Sequence, residues 1–202
     1  MSNATAALVL IGGLVSLGQV SPVLADDACV KLQNSKSESR LQYLKGQRAG
    51  SDRSCLIYAI KQLGSDGYEP AIKTLIAYLD LREPDPPNYG TQDKPFTPRH
   101  GQPRGGPYPA VAALFQIGKV AVPQLVEAIA DSSLSELVRG NAGDALLAIY
   151  RADPIAGITA MVTAAHAMAD PAAANRVMDE ARRQASLCLP QDRNECENAT
   201  LK

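Results

Sequence analysis

Apolar residues recur at three- and four-residue intervals along most of this chain, the spacing that places them on one face of an α-helix. Residues 71–79 read Ala-Ile-Lys-Thr-Leu-Ile-Ala-Tyr-Leu and residues 121–129 read Ala-Val-Pro-Gln-Leu-Val-Glu-Ala-Ile, one hydrophobic word written twice. A second word precedes each copy: Ala59-Ile60 with Leu63-Gly64, and Ala113-Leu114 with Ile117-Gly118. A third copy opens with Ala145-Leu146 and Ile149, then degrades to Gly157-Ile158 and Met161-Val162. Arg53 and Arg139 each stand six residues before the first alanine of a copy, and Leu41 and Leu44 are fragments of an earlier unit. Recurrence at fixed offsets marks stacked helical repeats, in which no unit buries its apolar face alone and its neighbours supply the core. The expected fold is all-α, a small α-solenoid.

The pattern predicts a first helix over 35–46, with Ser35 or Ser37 near its start. A second begins after Asp52 as N-cap and stops at Gly64, which tolerates a left-handed turn, and 69–81 returns antiparallel to it. Further helices are expected over 109–118, 120–130, 135–150, 154–169 and 171–187, with Pro123, Pro154 and Pro171 tolerated in first turns. Between Arg82 and Pro109 this rhythm stops, and eight of the fourteen prolines fall there, with several glycines. Proline removes the backbone donor a helix needs and pushes the residue before it toward an extended form. Residues 83–109 therefore read as a Pro/Gly-rich loop inserted between repeats.

Ala113-Leu114-Phe115-Gln116-Ile117-Gly118, then Ala121-Val122-Pro123-Gln124-Leu125-Val126, then Val138-Arg139, resembles the HEAT-like repeat family in its short bacterial form, also found in phycobilin lyase subunits. The resemblance covers roughly residues 53–187. It implies a right-handed α-solenoid of about four helical hairpins. It also implies that the arginine opening each unit braces the turn between units with an acidic neighbour, here Asp52 for Arg53 or Asp131 for Arg139. On function it is nearly silent, because the shared residues are those that pack helices.

The first 25 residues carry no charge, hold an apolar run from Ala6 to about Val20 and end in Val23-Leu24-Ala25, which reads as a secretory signal cleaved after Ala25. The array then occupies 26–187 and a polar tail 188–202. Four cysteines in an exported chain favour disulfides over free thiols. Three pairings are open; because a solenoid holds its ends apart, Cys29–Cys55 and Cys188–Cys196 are the expected ones. Their irregular spacing, with no Cys-x-x-Cys and with His100 and His166 distant, argues against a metal site. A net charge of −1 offers no basic excess for nucleic acid.

Long irregular loops are enriched in binding function, so the insertion is the leading candidate site. It offers Tyr89, Phe96 and Tyr108 as aromatic anchors and Arg82, Lys94, Arg99, His100 and Arg104 as donors, the side-chain types that most often carry interface energy. The alternative is a spacer without a ligand. The second helices of the hairpins add a recognition face through Lys73, Thr74, Ala77 and Tyr78, then Gln124, Glu127 and Ala128, then Thr163 and His166. No nucleophile or acid matches His100 at a recognisable spacing, so no catalytic centre and no cofactor are expected. Asp179-Glu180 and Arg182-Arg183 are spaced for salt bridges on a solvated capping face. The expected function is a non-catalytic scaffold, secreted or periplasmic, that binds another extracytoplasmic protein or peptide and has no stable membrane insertion once its signal is removed. Two alternatives stand beside it: a lyase-like, chromophore-handling enzyme by fold analogy to the bilin lyases, and a structural envelope stability factor.

Overall fold

The computed structural model of the chain describes residues 26–46, 52–84, 106–188 and 200. Among these the fold is all-α, with no strand. The order is α1 (Asp26–Gln33), α2 (Ser37–Gly46), α3 (Arg53–Ser65), α4 (Ile72–Ile76), α5 (Pro109–Ile117), α6 (Val122–Ala130), α7 (Glu136–Ile149), α8 (Pro154–Ala167) and α9 (Pro171–Ser186). The signal reading of 1–25 lies outside the described residues. Among the described residues no single helix is long and apolar enough to cross a membrane.

Local chemistry sets the helix starts. Asp52, Ser135, Asp153 and Asp170 each accept a backbone N–H of the first turn, satisfying a donor that has no partner within the helix. Pro123, Pro154 and Pro171 fall in first turns, where the missing N–H is harmless. One helix was not expected: α1 precedes the predicted first helix and is only two turns long. It is held from outside instead, by a Cys29–Cys55 disulfide to α3 and by Arg40, whose Nε and Nη2 donate to the carbonyls of Leu32 and Gln33 at 3.2 and 3.3 Å.

The two clearest copies of the repeated words share their local structure. Each second helix is entered through one 3-10 turn, Glu69–Ala71 and Lys119–Ala121, closed by Ala71 N–H to Tyr68 O and Ala121 N–H to Gly118 O at 3.0 and 2.9 Å. Ala71, Leu75 and Leu79 are fully buried, as are Ala121 and Leu125, with Ile129 nearly so. The predicted helix over 69–81 is shorter than expected: beyond Ile76 the chain tightens into turns that bond to the third residue back.

The glycines of the two copies differ in use. Gly118 ends α5 at φ 87°, a left-handed value that suits glycine. Gly64 instead stays inside α3, and the left-handed residue is Gly67, at φ 60°. Gly64 is needed for contact: a β-carbon there would lie 2.7 Å from Cβ of Ala113 and closer still to its Cα, so α3 and α5 could not keep their separation. Gly64→Ala is expected to destabilise by about 1–3 kcal/mol through overpacking, despite the better helix propensity of alanine. Denaturant unfolding checks this, and an unchanged midpoint would show that the α3–α5 contact yields easily.

Packing orders the helices into rows: α1, α3, α5 and α7 follow one another, as do α2, α4 and α6, and α2, α4 and α6 pack on α3, α5 and α7 respectively. The repeated words thus bury their faces against neighbouring helices. Regular alternation ends at the C-terminal side, where α9 packs on α6 and α7 as well as on α8. This places α9 beside the second helices and creates a cleft bounded by α6, α7 and α9.

Candidate functional site

The root of the insertion is built by four polar contacts. Glu83 N–H donates to Pro107 O at 2.6 Å and closes the segment at its neck. Lys61 of α3 pairs with the Glu83 carboxylate at 2.7 Å, and Arg53 donates Nε at 3.0 Å, together with Nη2, to the carbonyl of Arg82. Tyr108 packs half-buried against the core just before α5. Of the residues predicted here, Arg82 and Tyr108 stand at this neck. Tyr89, Lys94, Phe96, Arg99, His100 and Arg104 lie outside the described residues.

The predicted face on the second helices is only partly available. Lys73, Ala77 and Glu127 are exposed, and Thr74 and Gln124 are half-buried. Ala128 is 5% exposed and belongs to the core, a correction to its predicted outward position. The Tyr78 hydroxyl donates to Leu44 O at 2.8 Å, tying the end of the first hairpin to α2, and burial raises its pKa. Tyr78 is therefore a bracing residue first. Thr163 and His166 are exposed on α8, whose packing partners are α7 and α9, so they do not extend the face of α4 and α6.

The recurring arginines brace turns, but through carbonyls. Arg139 Nη1 donates to Leu134 O within the α6–α7 turn, as Arg53 does to Arg82 O. The predicted acidic partners are engaged elsewhere: Asp52 caps Ser54 N–H at 2.8 Å, and Asp131 accepts the N–H and hydroxyl of Ser133 at 2.8 and 2.7 Å. Those bonds from Ser133 hold the Asp131 carboxyl below its ordinary range, with a smaller contribution from the positive charges of Arg176 and Arg139.

The charged residues of α9 do not form a uniformly solvated face. Asp179 and Arg182 do face solvent and pair at 2.9 Å. Glu180, however, is only 9% exposed and accepts from Arg183 Nε and Nη2 at 2.8 and 2.7 Å and from Gln184 Nε2 at 2.8 Å. Asp144 of α7 accepts from the same Arg183 and Gln184 at 2.8 and 2.7 Å, and Arg183 also reaches Gly140 O at 3.1 Å. These bonds raise the affinity of the Arg183 guanidinium for its proton above the ordinary value, Glu180 contributing most. The carboxylate of Glu180 occupies the space that a side chain at Gly143 would fill. This clamp joins α7 to α9 along a cleft of about 660 Å³, floored by Ile129, Gly140 and Asn141. A readable signal existed: Gly140 and Gly143 weaken a helix interior, and such glycines mark a close approach.

Cys29, Asp52 and Cys55 bring three potential ligand atoms within 4.8 Å of one another, but the disulfide engages both sulfurs. Cys188 is buried and disulfide-bonded, while Cys196 and hence the predicted Cys188–Cys196 pairing lie outside the described residues. Comparison of the chain with protein-family models, curated proteins and solved structures finds no match.

Proposed function

We propose that this chain is a HEAT-like helical array, exported through residues 1–25, that works outside the cytoplasm as a non-catalytic scaffold for another protein or peptide. The observation that carries the reading is the neck of the insertion. Ion pairing by Lys61, carbonyl capture by Arg53 and the Glu83–Pro107 bond anchor both ends of the segment to one point of the rigid rows. A spacer that had merely grown in length needs no such anchorage, whereas a recognition loop gains from it, because ordering a loose segment on binding opposes affinity. The rows supply the rigid base, as scaffolds bearing functional loops generally do. Export is supported by the Cys29–Cys55 disulfide, since such bonds persist in oxidising compartments.

The test replaces residues 85–105 by a short Gly-Ser linker, leaving Arg82, Glu83, Pro107 and Tyr108 in place. Intact and shortened chains are used to capture proteins from the native extracytoplasmic fraction, with mass spectrometric identification and a melting curve for each. A partner held by the intact chain and lost by a shortened chain of equal stability is the expected result. A partner held equally by both would move recognition to the helices, and no partner for either would overturn the scaffold reading.

A further inference from the structure

We infer that the cleft between α7 and α9 binds a carboxylate-bearing ligand, received by Arg139 and Arg176 where the cleft meets the α6–α7 turn. The inference is independent of the insertion. Both arginines line the cleft and are half-buried. Each is steered by a backbone carbonyl of the same stretch: Arg139 Nη1 by Leu134 O, and Arg176 Nε by Ala130 O at 2.6 Å. A guanidinium carries five N–H donors in a planar fork, so one carbonyl fixes its orientation and leaves the fork incompletely used.

Three of the four acids that line the cleft are committed to other partners, and the fourth, Glu136, is exposed at the start of α7. Asp144 and Glu180 are taken by Arg183 and Gln184, and Asp179 by Arg182. Asp131 lies near both arginines, but its carboxylate is turned to Ser133. Arg139 forms no ion pair among the described residues, and Arg176 only reaches Asp170 at 4.0 Å, the outer edge of such contact. Two steered guanidinia, neither in close contact with a carboxylate, over a partly apolar floor suit a planar monoanion, which takes parallel N–H bonds from such forks. A phosphate dianion suits the cleft less well, because Asp131, Asp179 and Glu136 would repel its second charge. The volume accommodates a small organic acid or the acidic side chain of a bound peptide.

Amide-resolved NMR titration of the whole chain tests this with butyrate, with an N-acetylated, C-amidated Ala-Glu-Ala tripeptide and with the corresponding Ala-Gln-Ala tripeptide. Saturable shifts centred on residues 129–141 and 176–183 are expected with at least one carboxylate and not with the Gln peptide. Response to butyrate alone identifies a small acid as the ligand, and response to the tripeptide alone identifies a peptide side chain. Arg176→Gln is expected to weaken binding about tenfold, the effect of losing a charge-assisted hydrogen bond. Asp131→Asn keeps the acceptor for Ser133 yet removes a competing charge, so it should tighten binding; a purely structural role would not move in that direction. No saturable shift with either carboxylate, equal shifts with the Gln peptide, or affinity indifferent to both substitutions would overturn the inference.

Discussion

Replacement of both Cys29 and Cys55 by Ala is expected to lower stability by about 3–4 kcal/mol, the loop-closure entropy for a bridge of this span. The bridged residues are separated by 26 positions, with Cα atoms 5.1 Å apart, and Cys55 is fully buried in the first turn of α3. The double substitution leaves no unpaired thiol and does not disturb Cys188, so it isolates this bridge where a reductant would not. The main packing partner of α1 is α3, so the loss should concentrate at the N-terminal end. Hydrogen exchange should accelerate most in residues 26–33, held then, among the described residues, mainly by the burial of Leu32 and by the two carbonyl contacts of Arg40. A denaturant midpoint equal to that of the native chain would show that these contacts hold α1 unaided.

Arg183→Ala is expected to destabilise by about 2–3 kcal/mol. Breaking a buried ion pair from one side usually has a larger effect, but the Arg183 side chain is 43% exposed and solvent screens part of the loss. The variant leaves Glu180 buried and Asp144 beside it with only Gln184 as a shared donor. The pH dependence follows with a definite sign. In the native chain the Arg183 pKa is raised, so its contribution is present below the unfolded value and is lost only as pH rises through the still higher folded value, in strong alkali. In the variant, Asp144 and Glu180 face one another with no cation between them. The stability gap to the native chain should therefore narrow as added salt screens these charges, which chemical unfolding at low and high ionic strength measures. A gap independent of salt would assign the loss to the missing aliphatic stem instead.

Much of the fold was legible because its causes are local or periodic. The repeated words carry their own burial pattern, and Leu75, Leu79, Leu125 and Ile129 sit where the spacing put them. Capping by Asp52 and the first-turn prolines follow from short-range sterics and donor accounting. The candidate cleft was not legible, because its members come from three helices whose mutual placement no spacing encodes. Glu180 and Arg183 read equally well as an exposed salt bridge; only the approach of Gly143 to α9 makes one of them buried. Tyr78 read as part of the recognition face of the second helices because its partner, Leu44 O, lies 34 residues away in the sequence.

By itself, the order of residues determined the helical class and the placement of most of the helices, since these depend on periodicity and on what proline and glycine allow. It also made a bridge between Cys29 and Cys55 an expectation, and geometry made it a bond. Only the tertiary structure decided that α9 reaches α6 and α7, that the arginines brace carbonyls, and that the insertion is closed at Glu83 and Pro107. The reason is physical: hydrogen bonds and ion pairs require alignment within a few tenths of an ångström, and distant segments acquire that alignment only after their apolar faces have packed.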